Sequence, residues 1–278
     1  MATRMRDAMS QRLDELRYER VERRVRALVD GDAVVDSRRP LLVWEPRRIV
    51  PSFAVPIEDV RGELVPAPAA GGPGDAPPVL HPGIAFTAHS TAGESLSLRA
   101  GRATREGVAF APADPDLAGY VVLDFKGFDT WLEEDEELVG HARDPYHRID
   151  MRRTSRPVRI ARNGELLAET TRAVLLWETN LPTRFYVPRE DLVAPARPGD
   201  KRTTCAYKGH ASHLSLDAGQ NLAWTYEDPT PEAQPVKGLV AFYDEIVDVS
   251  FDGEPRERPD TPFAKALADE FGLKANAG

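Results

Sequence analysis

The stretch VRALVDGDAVVDSRRPLLVWEPRRIVPSFAVPIEDV, starting at Val25, returns as VRIARNGELLAETTRAVLLWETNLPTRFYVPREDL, starting at Val158, with one residue deleted before a shared Phe-x-Val-Pro. Gly31, Trp44, Glu45, Phe53, Pro56, Glu58 and Asp59 fall on Gly164, Trp177, Glu178, Phe185, Pro188, Glu190 and Asp191. A repeat this long demands the same fold twice. The 278 residues therefore divide into two domains, each long enough to bury a core of its own.

The repeated unit reads as β-structure. Short apolar runs flank Asp30-Gly31 in one copy and Asn163-Gly164 in the other, dipeptides that accept the positive φ of a tight hairpin. PLLVWE and AVLLWE are continuous apolar strands ending in Trp-Glu, followed by a Pro-containing turn and SFAVP or RFYVP. ESLSLRAG then matches SHLSLDAG, and GVAFAPADP matches NLAWTYEDP. The expected organisation is an N-terminal amphipathic helix within 1–24, with Met9, Leu13 and Leu16 as its apolar stripe. A first repeat follows over 25–145, with a Pro/Gly/Ala-rich loop insertion at 65–79. The second repeat spans 150–260, and a C-terminal helix and tail span 261–278, with Thr261 as cap, Pro262 in the first turn and Phe263, Leu267 and Phe271 as the stripe. Between the repeats lie the acidic run Glu133–Glu136 and an Arg-rich segment containing histidines.

A formal charge of −9 argues against a generic nucleic-acid binder, whose phosphate contacts require a basic face. One cysteine excludes an intramolecular disulfide and a Cys-x-x-Cys zinc cage, and no apolar run reaches the length of a signal or membrane segment. The expectation is a cytoplasmic protein without cofactor, metal, nucleic-acid partner or membrane association.

Chemistry concentrates in the second copy. TTCAYKGHASHLSL places Thr204, Cys205, Tyr207, Lys208, His210 and His213 within ten residues, with Gly209 free to turn the backbone. Lys208 or either histidine nearby could activate Cys205 as a nucleophile; a lone cysteine in a β-rich domain is most often a buried small apolar residue. His210 and His213, three apart on a strand, fall on opposite faces and are poor joint metal ligands. Trp177, Phe185, Tyr186, Tyr207, Trp224 and Tyr226 are candidates for the walls of an aromatic pocket or for core packing. Glu178 ends its apolar strand as Glu45 does, placed either to orient a site cation or to cap a loop. Arg184 and Lys208 offer charge to an anionic group.

The order Asn-Gly…Trp-Glu…Arg-Phe-Tyr-Val-Pro…Thr-x-Cys-x-Tyr-Lys-Gly-x-Ala…Ala-Trp-x-Tyr-x-x-Pro-x-Pro-Glu-Ala…Gly-Leu-Val-Ala-Phe-Tyr, over residues 158–250, resembles domain-of-unknown-function family 427. Residues 25–131 look like a degenerate second copy, and HARDPYHRID looks like the joint of tandem members. Ala206 and His213 depart from that family's usual pattern of Pro after the cysteine and an aromatic further on. The resemblance implies a mainly β (α+β) chain of two tandem β-tent-like domains with short terminal helices. It also implies a monomer in which the copies form an internal pseudo-dimer, because copy one has FTAHSTAGESLSL where copy two has the Cys-x-Tyr-Lys motif.

The family name carries no activity, so function rests on the residues. Three readings follow, in order. The first is binding of a small polar or planar metabolite by Trp177, Glu178, Arg184, Phe185, Tyr186, Thr204, Tyr207, Gly209, His213, Trp224 and Tyr226. The second is a transfer or hydrolysis enzyme with Cys205 as nucleophile, His210 or His213 as base and Lys208 stabilising negative charge. The third is a protein-interaction scaffold.

Overall fold

Antiparallel strands dominate both halves of the chain in the computed structural model, which describes residues 2–68 and 78–260 together with Ala264, Lys265 and Ala268. The chain separates into two units, Met1–Asp144 and Pro145–Gly278. Most of the expected loop insertion and almost all of the expected C-terminal helix lie outside the described residues.

The first unit opens with helix α1 (Met5–Ser10) and strands β1 (Arg17–Arg20), β2 (Val25–Val29), β3 (Asp32–Ser37), β4 (Leu41–Trp44), β5 (Ser52–Pro56) and β6 (Glu63–Pro66). β7 (Gly93–Ala100), β8 (Ala103–Pro112), β9 (Tyr120–Leu123), β10 (Thr130–Glu133) and β11 (Glu136–Glu137) complete it. They form a seven-stranded sheet in the order β1-β4-β5-β9-β8-β7-β6 and a four-stranded sheet in the order β11-β10-β2-β3.

The second unit repeats this plan. It comprises β12 (Ile149–Arg153), β13 (Val158–Arg162), β14 (Glu165–Thr170), β15 (Val174–Glu178), β16 (Arg184–Val187) and β17 (Arg197–Cys205). β18 (Gly209–Leu216), β19 (Gly219–Thr225), β20 (Val240–Phe242), β21 (Asp248–Phe251) and β22 (Glu254–Pro255) follow. Its sheets run β12-β15-β16-β20-β19-β18-β17 and β14-β13-β21-β22, so every strand has a counterpart in the same place.

The duplication reaches the irregularities. The hairpin register shifts between Ala27 and Leu28 in one copy and between Ile160 and Ala161 in the other, which are equivalent residues. A second bulge falls at Leu96/Leu98 and at Leu214/Leu216. There the equivalent Gly107 and Asn221 take φ of +61° and +49°, and their backbone N–H groups donate to the Ser97 and Ser215 hydroxyls. The hairpin pairs Asp30-Gly31 and Asn163-Gly164 have φ of 52° and 86°, and of 51° and 82°, the left-handed pair that a two-residue hairpin turn requires.

One stretch corrects the sequence expectation. The N-terminal segment is not one helix through 1–24: α1 stops at Ser10, and Arg17–Arg20 instead pairs along Leu41–Trp44 as the edge of the large sheet. A short isolated helix is marginal in water, whereas the free edge of an apolar strand offers a full ladder of hydrogen bonds. The alternating burial of Arg17–Arg20 is the period-2 signature of that pairing.

In each unit the large sheet is covered on both faces. In the second unit, Leu175, Phe185, Val187, Leu214 and Phe242 pack with Val158, Ile160 and Val249 from the small sheet. On the opposite face Val174, Leu176, Tyr186, Trp224, Tyr226 and Tyr243 form a separate cluster, roofed by Ala233 and Val236 from the 226–239 connection. This second face carries the candidate site.

Candidate functional site

The Cys-x-Tyr-Lys-Gly motif is the turn between β17 and β18. Cys205 and Gly209 are paired across it, the Lys208 N–H donates to the Cys205 carbonyl at 3.3 Å, and the Tyr207 N–H donates to Cys205 Sγ at 3.4 Å. Gly209 has φ +90°, a backbone state that other residues reach only with strain. The turn is tied down from outside: the Thr230 hydroxyl donates to the Tyr207 carbonyl at 2.7 Å and the Thr230 N–H to the Lys208 carbonyl at 3.2 Å. Lys208 is thereby driven inward.

Its partner is Glu178. Lys208 Nζ lies 2.5 Å from Glu178 Oε2, and His147 Nε2 lies 3.0 Å from Oε1. The lysine and glutamate side chains are only 8% and 7% exposed. The His147 ring stacks on Tyr207 at 4.2 Å. Burial alone would favour the neutral acid, but Lys208 and His147 outweigh it and hold the Glu178 carboxyl down at about 2. Burial likewise works against the Lys208 ammonium, and the neighbouring Cys205 and Glu178 overcome it, raising the lysine pKa above its ordinary value. Cys205 itself is half-buried.

The aromatic layer continues along the sheet. Trp224 Nε1 donates to the Tyr186 hydroxyl at 3.3 Å, and the Trp224 and Tyr243 rings lie 4.5 Å apart. Burial raises the Tyr186 hydroxyl to about 12 and the Tyr226 hydroxyl well above its usual value. Beside them Arg184 makes a buried two-pronged pair with Glu245, at 2.8 and 2.6 Å, with Asp244 at 3.5 Å. Burial pushes the Asp244 carboxyl up to about 6 against the pull of Arg184. His213, buried and held at about 4 by desolvation, shares a hydrogen bond of 3.1 Å with the Thr203 hydroxyl.

Not every expected wall residue comes together. Trp177 precedes Glu178, so it points to the other side of β15, and it is 42% exposed rather than part of the layer. Phe185 alternates with Arg184 and Tyr186 onto the opposite face and belongs to the core against the small sheet. His210 is exposed and engages the Thr204 hydroxyl at 2.9 Å, while His213 is buried, as opposite faces of a strand require. Cys205, Tyr207, Lys208, Glu178, Tyr186, Trp224, Tyr226, His213 and Arg184 share the one face. Three participants lie outside the motif: His147, Asp244 and Glu245. The register of β12, which sets Ile149 opposite Glu178, brings in the first, and no local sequence signal foretells it.

Copy one retains a version of the cluster built from other residues. Glu45 is buried, accepts from the Ser90 N–H at 2.9 Å, and meets His89 Nδ1 at 3.1 Å and Arg48 Nε at 3.7 Å. In the aligned motifs His89 stands at the position of Tyr207 and Ser90 at that of Lys208. The His89 ring stacks on Phe110, the counterpart of Trp224, at 3.8 Å. The motif is lost from copy one, but a buried carboxylate flanked by an imidazole and a cation survives.

No described helix is long and apolar enough to cross a membrane. No curated protein matches the chain. Residues 150–253 match the model of a family described as a domain of unknown function (DUF427), and the match does not extend to the N-terminal copy. The matched stretch runs from β12 to β21 and contains the Glu178–Lys208 cluster, so this part of the chain is similar to domain-of-unknown-function family 427.

Proposed function

We propose that the C-terminal unit binds a small polar or planar metabolite at the Cys205–Gly209 turn. The observation that carries this reading is the buried Lys208–Glu178–His147 cluster beside a half-buried thiol. A buried ion pair adds little net stability compared with apolar packing, and strongly perturbed titratable groups gather at functional sites. The salt-bridged cluster offers fixed charge and hydrogen-bonding groups, and the buried Tyr186–Trp224–Tyr243 layer packs along the same face as its support. Both the lone cysteine and the absence of a long apolar helix among the described residues support a cytoplasmic setting for this activity.

A second reading is favoured by Cys205 itself. Its half-buried sulfur accepts the Tyr207 N–H in the same turn that carries Lys208, a placement that suits a cysteine nucleophile. His210 is not its base in this geometry, being engaged with Thr204 on the exposed side.

One experiment separates these readings: untargeted mass spectrometry of a cellular metabolite extract incubated with the wild-type protein and with Cys205→Ala. A compound retained by both and consumed by neither is the expected result. Consumption by wild type alone would replace binding with catalysis, and the absence of any retained or consumed compound would leave a scaffold role instead.

A further inference from the structure

The N-terminal unit carries an open cleft of about 660 Å³, between the β1–β2 and β3–β4 connections, on the copy that lacks the cysteine motif. That size falls within the roughly 300–1,000 Å³ of small-molecule sites. Five arginines line it: Arg20, Arg23, Arg24, Arg38 and Arg39. Three are held from behind by carboxylates outside the lining, Arg23 by Glu133 at 2.9 Å, Arg24 by Asp36 at 2.7 Å and Arg39 by Glu58 at 2.8 Å. Each of these guanidiniums keeps at least one nitrogen outside the pair, since Arg24 uses Nε and one terminal nitrogen and Arg23 and Arg39 use one terminal nitrogen each. Arg20 and Arg38 are exposed and make no ion pair among the described residues.

Three carboxylates also line the cleft, and two are already engaged. Asp135 pairs with Arg26 at 3.0 Å, and Glu134 accepts the Arg24 backbone N–H at 2.8 Å. Glu22 and Glu134, whose carboxylate accepts only a backbone N–H, stand against the two uncommitted arginines.

The duplication supplies an internal control. With Val25 aligned to Val158, Arg20, Arg23 and Arg39 have arginine counterparts at Arg153, Arg156 and Arg172, but Arg24 and Arg38 correspond to Pro157 and Thr171. Of the shared three, Arg23 and Arg39 serve the fold: in copy two Arg156 and Arg172 pair with Asp252 and Asp191 much as Arg23 and Arg39 pair in copy one. Arg24 and Arg38 are particular to the copy that lost the cysteine motif.

We propose that this cleft binds a small molecule through a phosphate group, seated on Arg20 and Arg38 and flanked by the free N–H groups of Arg23 and Arg24. Guanidinium forks match tetrahedral oxyanions with paired, charge-assisted hydrogen bonds, and arginines pre-set by their carboxylates lose little freedom on binding. Tyr120, which also lines the cleft, offers an aromatic edge to the remainder of the ligand.

The test is calorimetric titration of the full chain with pyrophosphate at low ionic strength, repeated with sodium sulfate at matched ionic strength. Saturable pyrophosphate binding is expected, weakened at least tenfold in Arg20→Gln/Arg38→Thr; both residues are exposed and unpaired, so the variant retains its melting temperature. Cys205→Ala should bind pyrophosphate as wild type does, which separates this site from the C-terminal one. No saturable binding, equal binding by the double variant, reproduction of the heat by sulfate, or loss in Cys205→Ala would each overturn the proposal.

Discussion

At the scale of single residues, Glu178 is the pivot of the second unit, because its two carboxylate oxygens engage the lysine and the histidine. Removing one member of a buried pair leaves the other charge unpaired, which costs about 3–5 kcal/mol. Lys208→Met should therefore destabilise the second unit by about that amount in urea unfolding. Lys208→Met/Glu178→Gln should cost less than the sum of the two single changes, because the double variant buries no orphan charge; additive losses would show that the two side chains do not interact. The pH dependence has a definite sign. Glu178 titrates at about 2 when folded against an ordinary 4.5, so its contribution is complete above about pH 4.5 and is lost as pH falls toward 2. The stability gap between wild type and the double variant should narrow across that window.

At the scale of elements, the β7–β8 and β18–β19 bulges show how duplicated strands keep an irregularity. Each sets a positive-φ residue opposite a serine, and each serine hydroxyl takes up a backbone N–H that the ladder leaves over. Ser97→Ala and Ser215→Ala should each cost about 1 kcal/mol in chemical denaturation, the usual worth of one intramolecular hydrogen bond. Asn221→Val should cost about 1–3 kcal/mol, because a β-branched residue is strained at φ +49°, whereas Asn221→Gly copies the glycine already found at 107. Equal losses in the two Asn221 variants would place the cost in the side-chain bond to Asp200 instead. The Cys205–Gly209 turn follows the same logic: its positive-φ glycine and the Thr230 tether fix the direction in which Lys208 enters the sheet face.

At the scale of the whole molecule, two units with equivalent sheets and separate apolar clusters predict two foldable pieces. Residues 145–278 produced alone should unfold cooperatively by calorimetry, with the far-ultraviolet spectrum of antiparallel sheet, and light scattering of the full chain should return the 30.7 kDa of a monomer. A C-terminal piece without a thermal transition would show that the units depend on one another. The repeated apolar runs, the Asp-Gly and Asn-Gly hairpins and the Trp-Glu strand ends made the mainly β duplication legible in the sequence, because strand periodicity and turn stereochemistry are local properties. So was the crowding of Cys205, Tyr207 and Lys208, since four consecutive residues are close in any fold. Residues 17–20 were not legible as a strand: their charges and the preceding Leu13 and Leu16 fit a helix, and only the open edge of β4 makes extended pairing the better state. Tertiary structure alone sorted Trp177 and Phe185 away from Glu178 and Tyr186, because one step along a strand reverses the face, and which face receives the site depends on what covers it. It alone brought His147 to Glu178 and Glu245 to Arg184, since partners 31 and 61 residues apart meet only through sheet register and the connections that follow it.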